Sequence, residues 1–305
     1  MHRNPIATFV LLAIGLVLLF TMNLLWGSVP ISLHETIDIL FHGGEETTLG
    51  TIHRNIILSS RLPQALTAVV AGAGLAVSGL QMQTVFHNPL AGPSVLGITS
   101  GASLGVALVV LLAGELGSVA LSSLGFLGNV ALTTAAILGA MATLLLMTLI
   151  ARRVENTVTL LIIGVMIGYV ANATIGVLKF FANDDDVREY VIWGLGSFSR
   201  VSGDDVTLFV SVMAILLPLT FFMVKPMDQL LLGDSYARNL GLNIRKARAL
   251  VILFSGTIVA IITAYCGPIL FIGLAVPHLC RGVLQTGSHR LLVPACLLTG
   301  ALLAL

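Results

Sequence analysis

Long apolar runs, broken by short polar stretches, set the pattern of this chain. They fall near residues 6–26, 63–82, 94–113, 124–150, 158–182, 204–224, 247–266, 268–283 and 290–305. Most approach the roughly 20 residues that a helix needs to cross about 30 Å of hydrocarbon. The stretch 249–282 is too long for one span and tight for two, so Gly267-Pro268 must divide it, because proline ends helices. No A-x-A site follows the first run, Ile6–Trp26, which reads as a retained helix rather than a cleaved signal. The pattern predicts an all-α polytopic bundle with about nine spans.

Composition agrees. Hydrophobic residues make up 57% of the 305 residues and charged residues 10%, with mean hydropathy +1.02. Globular domains carry about 25% charge. The net charge of +1 gives no case for nucleic acid. Charge does supply an orientation. With the N-terminus inside and alternating spans, Arg3, Arg152, Arg153, Lys225, Arg238, Arg245, Lys246, Arg248, Arg281 and Arg290 fall inside. Arg54, Arg61, Lys179, Arg188 and Arg200 fall outside or near the outer face. Of the acidic residues only Glu155, Asp228 and Asp234 fall inside. Trp26 and Trp193 are expected at the outer interface. Nine spans leave the C-terminus outside, in LLVPACLLTGALLAL with no polar anchor, so the chain is expected to be truncated.

The stretch His87–Gly101, HNPLAGPSVLGITSG, interrupts this pattern. Its polar part, His87–Pro93, lies on the inner side and lacks the Lys and Arg of other inner loops. It reads either as a tight turn or as a segment that dips back, which irregular backbone tolerates only when buried in protein or lining a cavity. Behind it, Gly97, Gly101 and Gly105 recur every four residues, a spacing that lets another backbone approach. Ala68, Gly72 and Ala76 repeat the idea one span earlier. Gly101-Ala102-Ser103-Leu104-Gly105 also matches G-x-S-x-G, but that motif needs a strand–turn–helix elbow and here lies mid-helix. Gly267-Pro268 through Gly273 echoes Gly92-Pro93 through Gly97, and Gly/Pro-broken segments in two halves point to transporter repeats.

Other chemistry is sparse. There is no GxxxxGK[ST], so the chain does not use ATP through a P-loop, and no HExxH. Cys266, Cys280 and Cys296 lie in apolar stretches without CxxC spacing and read as core residues. His278 reads as a packing or backbone-bonded side chain, and His289-Arg290 as a mark of the inner interface. Asp184-Asp185-Asp186 reads as a solvated outer turn rather than a metal site. The longest and most basic inner loop is 225–248, KPMDQLLLGDSYARNLGLNIRKAR. Asp234 and Ser235 are placed to cap a short helix ending near Gly241. The loop reads as a lipid-surface anchor through Arg245, Lys246 and Arg248, or as a dock for a cytoplasmic protein.

Four stretches together resemble one family. They are Arg61-Leu62-Pro63; Gly79 through Asn88-Pro89-Leu90-Ala91 to Gly97 and Ser100-Gly101-Ala102; Leu232-Gly233 with Ala237-Arg238 and Leu240-Gly241; and Gly267-Pro268-Ile269 with Phe271-Ile272-Gly273-Leu274 and Pro277-His278. Trp193 with Gly196-Ser197 fits as well. Over nearly its whole length the chain is similar to the permease subunits of ABC importers for iron chelates (siderophores, haem) and vitamin B12. The resemblance implies a single transmembrane domain over 1–305 in the cytoplasmic membrane, with 225–248 as its coupling loop and no cofactor. It implies a transport subunit rather than an enzyme, paired with a second copy, two ATPase subunits inside and a soluble binding protein outside. Gly233, Ala237, Arg238, Leu240 and Gly241 would form the ATPase-coupling element. Asn88, Pro89 and Leu90, with Asn156 and Thr157, would form the cytoplasmic gate, and Arg61 would meet a carboxylate of the binding protein. Gln64 stands where the family usually repeats arginine, and the family has ten spans. The favoured cargo is an iron chelate. Cobalamin, a secondary transporter, and a membrane enzyme using Ser103 or His278 are the alternatives.

Overall fold

A computed structural model describes residues 5–44, 47–117, 126–154, 156–201 and 203–305. Arg3, Glu155 and the first two residues of the 124–150 run, used in the reading above, lie outside the described residues. The helices are α1 (Pro5–Leu25), α2 (Leu33–His42), α3 (Thr48–Ile56), α4 (Leu62–Phe86), α5 (Ile98–Gly117), α6 (Phe126–Arg153) and α7 (Thr157–Phe181). Then follow α8 (Asp184–Gly194), α9 (Asp204–Leu219), α10 (Val224–Leu231), α11 (Asp234–Asn239), α12 (Ile244–Cys266), α13 (Ile272–Leu284) and α14 (His289–Ala304). A π-helical turn, Ile57–Arg61, joins α3 to α4, and short 3-10 turns cover Pro93–Leu96, Phe198–Arg200 and Thr220–Met223. No strand occurs among the described residues.

Among the described residues, six helical stretches are able to cross a membrane by length and composition: Pro5–Leu25, Thr48–Phe86, Leu127–Arg153, Thr157–Phe181, Asp205–Leu231 and Ile244–Cys266. Three shorter apolar helices, Ile98–Leu112, Ile272–Leu284 and His289–Ala304, take the other predicted positions. Gly267 does break the 249–282 run, with φ of 76° just after α12.

The centre of the bundle is α4, buried from Ala71 through Phe86 apart from its earlier edge. Its small residues let neighbours come backbone to backbone. A methyl group on Gly72 would strike the Gly300 carbonyl of α14, and one on Gly79 the Gly273 carbonyl of α13. On the periphery, α1 and α7 expose large apolar side chains such as Leu11, Val17, Val170 and Phe180, as lipid-facing helices should.

The elements gather at two ends. At one lie Trp26, the start of α4, and Leu305, whose carbonyl accepts a hydrogen bond from Asn23 Nδ2 (3.3 Å). At the other lie His87, α10, α11 and the first turns of α12 and α14. Two expectations change. Trp26 is exposed, but Trp193 is only 2% exposed; it packs at 6.4 Å from the Tyr190 ring, with the Arg200 guanidinium 5.9 Å away. The basic loop is also shorter than it read: 225–231 is helical in α10 and 244–248 in α12, leaving α11 and its flanking glycines between. Helices α2 and α3 were not predicted. Ser32 caps α2 through the Glu35 N–H (3.2 Å), and Thr47 caps α3 through the Gly50 N–H (3.0 Å).

Candidate functional site

The segment after α4 is re-entrant. His87 ends the helix in the left-handed region (φ 49°). The Asn88 side chain then accepts the Leu90 N–H (2.9 Å), and the Asn88 carbonyl accepts the Ala91 N–H (3.1 Å). This tight turn sends the chain back alongside α4. A methyl group on Gly273 would lie 2.7 Å from the Pro93 ring and 2.8 Å from the Leu75 carbonyl oxygen. Gly273 also meets Gly79, which lies about 10 Å before the end of α4 at 1.5 Å per residue. The two Gly-Pro segments that echo each other in sequence therefore meet in space. Together they border a cavity of about 190 Å³ whose walls include Leu75, Leu90, Pro93, Val259, Phe271 and Leu274. Pro89 and Leu90 are exposed and Asn88 is half-buried.

Phe271, which the sequence marked only as part of the family-like Phe271-Ile272-Gly273-Leu274 stretch, sits at this cavity with φ 69°. The Ile272 N–H bonds back to the Leu270 carbonyl (2.9 Å), so Phe271 is the centre of a γ-turn of the rare, strained hand. Its ring is 76% exposed. Strain of this kind persists only where the surroundings impose it.

At the same end as His87, α11 projects between two glycines with positive φ, Gly233 (90°) and Gly241 (82°). Neither would clash with an added methyl group, so backbone conformation rather than space calls for glycine there. Ala237 is buried against Leu230 and Ile244, while Leu232, Tyr236, Arg238 and Leu240 are exposed. Asp234 does not cap α11 as expected, and no side chain caps it. Its two carboxylate oxygens instead accept from Arg248 Nη2 at 2.8 and 2.9 Å. The arm is thereby fixed to the first turns of α12.

Polar contacts join this arm to α4. His289, fully buried, meets Asp228 of α10 through Nδ1 (2.7 Å) and Thr84 of α4 through Nε2 (2.8 Å). The Asp228 carboxylate also accepts the His289 backbone N–H (2.9 Å) and so caps α14 from 61 residues away. The neutral tautomer that satisfies both ring nitrogens donates from Nδ1–H to Asp228 and accepts the Thr84 hydroxyl at Nε2. His289 is thus a buried link rather than an interface marker. His87 Nε2 reaches the Leu230 carbonyl (2.9 Å). Gln83 accepts from Arg281 Nη1 and donates to the Leu274 carbonyl (3.2 Å).

Other candidates are placed as follows. Asn156 caps α7, accepting from the Val158 and Thr159 N–H groups (2.8 and 3.3 Å), with Thr157 opening the helix. Gly101 and Gly105 lie against Gly139 and Ala135 of α6. Gly97 does not share that face. It ends the 3-10 turn with φ 73°, and a methyl group there would lie 2.9 Å from the Gly164 carbonyl of α7. Ser103 bonds the Tyr190 hydroxyl; burial raises the Tyr190 phenol above its ordinary value and this bond opposes the rise. His278 is exposed rather than packed. Arg61 is the clearest departure. Only 7% exposed, its Nη1 donates to the Leu24 and Leu25 carbonyls (2.7 and 2.9 Å) and its Nη2 to that of Val29. It ties the end of α1 to α4 through these carbonyls. The Asp184–Asp186 run opens α8, where carboxylates suit the helix dipole. Among the described residues no trio of His, Cys, Asp or Glu is placed to hold a metal ion.

Comparison with known proteins places this geometry. Residues 15–305 match the FecCD transport family. The hemin transport system permease protein HmuU of Yersinia pestis is 33% identical over 295 residues, covering 96% of this chain and 85% of its own length. The vitamin B12 import system permease protein BtuC of Citrobacter koseri is 36% identical over 250 residues, covering 79% of this chain and 70% of its own length. A solved ABC transporter assigned to the metal-chelate type, in an inward-facing conformation, superposes with a TM-score of 0.81 at 27% identity, over 97% of this chain and 87% of that one.

Proposed function

The chain belongs to the FecCD transport family as an ABC importer permease, and on that premise we propose that it carries an iron chelate, a siderophore complex or haem, across the cytoplasmic membrane. Two copies of the chain form the pathway. Two ATPase subunits act from the cytoplasm, and a soluble binding protein delivers the cargo outside. The end with His87 and α11 faces the cytoplasm, and the N-terminus lies inside. The excess of Lys and Arg at that end supports this orientation. A hemin permease aligns over 96% of the chain at 33% identity and a B12 permease over 79% at 36%, so uptake decides between iron chelate and cobalamin.

The observation that carries the mechanism is the hydrogen-bonded link from α10 through His289 to Thr84. We assign the Gly233–Gly241 arm, with Ala237, Arg238 and Leu240, to the ATPase cleft. Asn88, Pro89 and Leu90 form the cytoplasmic gate, with Asn156 and Thr157 at its border. Movement of the arm displaces α10. Asp228 and Leu230 then act on His289 and His87, and so on the last turn of α4 from which the Asn88 turn hangs.

Uptake in permease-deficient cells, with the locus's own ATPase and binding protein, tests this reading. Radiolabelled ferric siderophore, haem and cobalamin are offered side by side. ATP-dependent uptake of an iron chelate alone is the expected result. Uptake of cobalamin alone would reverse the assignment of cargo, and uptake without the ATPase would overturn the mechanism.

A further inference from the structure

The polar side chains of α4 divide by the helix they face. Toward α12, α13 and α14 they are paired. Ser78 donates to the Ser255 carbonyl (3.3 Å), Gln83 accepts from Arg281 and donates to the Leu274 carbonyl (3.2 Å), and Thr84 meets His289 (2.8 Å). Thr67 and Gln81 are the exceptions. Both are fully buried, and neither the Thr67 hydroxyl nor either end of the Gln81 amide meets a hydrogen-bond partner among the described residues. A buried amide left unpaired is costly, because burial removes its water without replacing it.

Thr67, Gly74 and Gln81 are spaced by seven residues, so they form one stripe of α4. A methyl group on Gly74 would lie 2.7 Å from Met213 Cε of α9, 2.7 Å from Ile262 Cδ1 and 3.0 Å from Ile258 Cγ2 of α12. The stripe therefore faces the seam that α9 forms with α12. Its neighbours are the ends of flexible side chains, whereas Gly72 and Gly79 meet the backbone of α14 and α13. Helices α4 and α9 run the same way, since α4 ends at His87 and α9 leads into α10, whose Leu230 carbonyl His87 contacts. Two turns on from Met213 is Thr220, just as two turns on from Gly74 is Gln81, so the unpaired amide is level with Thr220. Thr220 is fully buried and opens the 3-10 turn Thr220–Met223, two residues after Pro218 interrupts α9. Proline has no N–H and breaks the ladder there, which makes the α9–α10 joint a place where the helix is able to bend.

We propose that the seam between α4 and α9 is a sliding contact with two positions, and that Gln81 is a latch paired with the α9–α10 joint in the second of them. In the position described here the Thr220 hydroxyl is turned to the Leu217 carbonyl and the amide of Gln81 is idle. Travel of α9 along α4 brings Thr220 or a carbonyl of the joint to the amide. Met213 follows by changing rotamer over Gly74, as an unbranched side chain does readily. The unpaired amide disfavours the present position, and pairing favours the other, so one residue biases both states. This rests on the reading of α11 as the ATPase-coupling element, because α10 joins that element to the latch.

The test compares melting temperatures of the transporter, assembled with its ATPase subunits in lipid nanodiscs, without nucleotide and with ATP plus vanadate. Gln81→Leu removes the unpaired amide from one state and the paired amide from the other. Its melting temperature should rise by about 2 °C in one condition and fall by a similar amount in the other. Uptake per ATP hydrolysed should drop at least about tenfold. Thr220→Val should show the same loss of uptake, and the double variant should be no worse than either single one. If Gln81→Leu fails to assemble, Gln81→Met and Thr220→Val decide. A fall in both conditions would mean that the amide is satisfied in both states, and a rise in both that it is satisfied in neither. Either result, undiminished uptake, or full additivity of the two substitutions would overturn the proposal. The melting comparison involves no cargo, so its failure is distinguishable from a wrong assignment of cargo.

Discussion

Replacing His289 by Ala cuts the link between α10, which leads into the Gly233–Gly241 arm, and α4. The ring makes two hydrogen bonds while fully buried. The one to Asp228 is charge-assisted, a class that contributes about 1.5–3 kcal/mol, and the neutral one to Thr84 contributes about 0.5–1.5 kcal/mol. Asp228 is 37% exposed, so water compensates part of its loss. Thr84, released from the ring, turns its one hydroxyl proton to the Leu80 carbonyl, 2.9 Å away. A net loss of about 2–4 kcal/mol follows. If the link exists in only one state of the transport cycle, that energy shifts the balance between states by roughly 30- to 1,000-fold. Asp228→Asn still offers an acceptor to both His289 N–H groups and should lose only about 1 kcal/mol, as should Thr84→Val.

Two assays on the assembled transporter read this. Its melting temperature should fall most for His289→Ala and less for the other two. The ratio of cargo taken up to ATP hydrolysed should drop at least tenfold in His289→Ala, while basal hydrolysis persists. The double variant His289→Ala/Asp228→Ala should be clearly less than additive, because the two residues share one interaction. A wild-type transport ratio in His289→Ala, or a larger defect in Asp228→Asn than in His289→Ala, would refute the reasoning.

Four further outcomes are expected. Gly101→Leu places a side chain on Thr143 and the Gly139 carbonyl and should abolish uptake, whereas Ser103→Ala, losing one hydrogen bond to Tyr190, should transport normally. Arg61→Lys keeps the charge but cannot reach three carbonyls. It should lower the melting temperature nearly as far as Arg61→Ala, and a docking charge would instead be preserved by Lys. Gly233→Ala and Gly241→Ala meet no neighbour yet force a side chain into positive φ at about 1–2 kcal/mol each; weaker ATPase binding on a pull-down should follow. Phe271→Gly relieves the γ-turn and should leave the melting temperature unchanged or higher, while uptake falls; undiminished uptake would exclude a role for the ring at the cavity.

The spans were legible because a helix facing lipid must be apolar along its whole length, and α1 and α7 are. The short helix α11 was legible from the glycines that flank it, which positive φ requires at Gly233 and Gly241. The depth of the Asn88–Gly97 segment was not. It depends on Pro93 meeting Gly273, and hydrophobic periodicity carries no information about a contact so distant in the chain. For the same reason Arg61 read as a surface charge, although its acceptors lie on α1 and just beyond it. The Asp228–His289 pair spans 61 residues and has no spacing to betray it. Helix α2 did carry a signal, since Ser32 and Glu35 stand at capping-box spacing, but its amphipathic turns are too short to register as a span.

The placement of glycine also says which parts move together. Where Gly72 meets Gly300 and Gly79 meets Gly273, backbone lies on backbone with no side chain between to change rotamer. Such contacts are not deformed by degrees; they hold or they break. Helices α4, α13 and α14 therefore behave as one body. That body carries the Asn88 turn at the end of α4 and the Phe271 turn at the start of α13, and it receives the α10 contacts through His87 and His289. The contacts at its receiving end are side-chain hydrogen bonds, which exchange partners readily. A displacement entering there reaches both re-entrant segments at once, and the cavity between Pro93 and Phe271 changes shape only where this body slides against α12 and the Pro93–Leu96 turn.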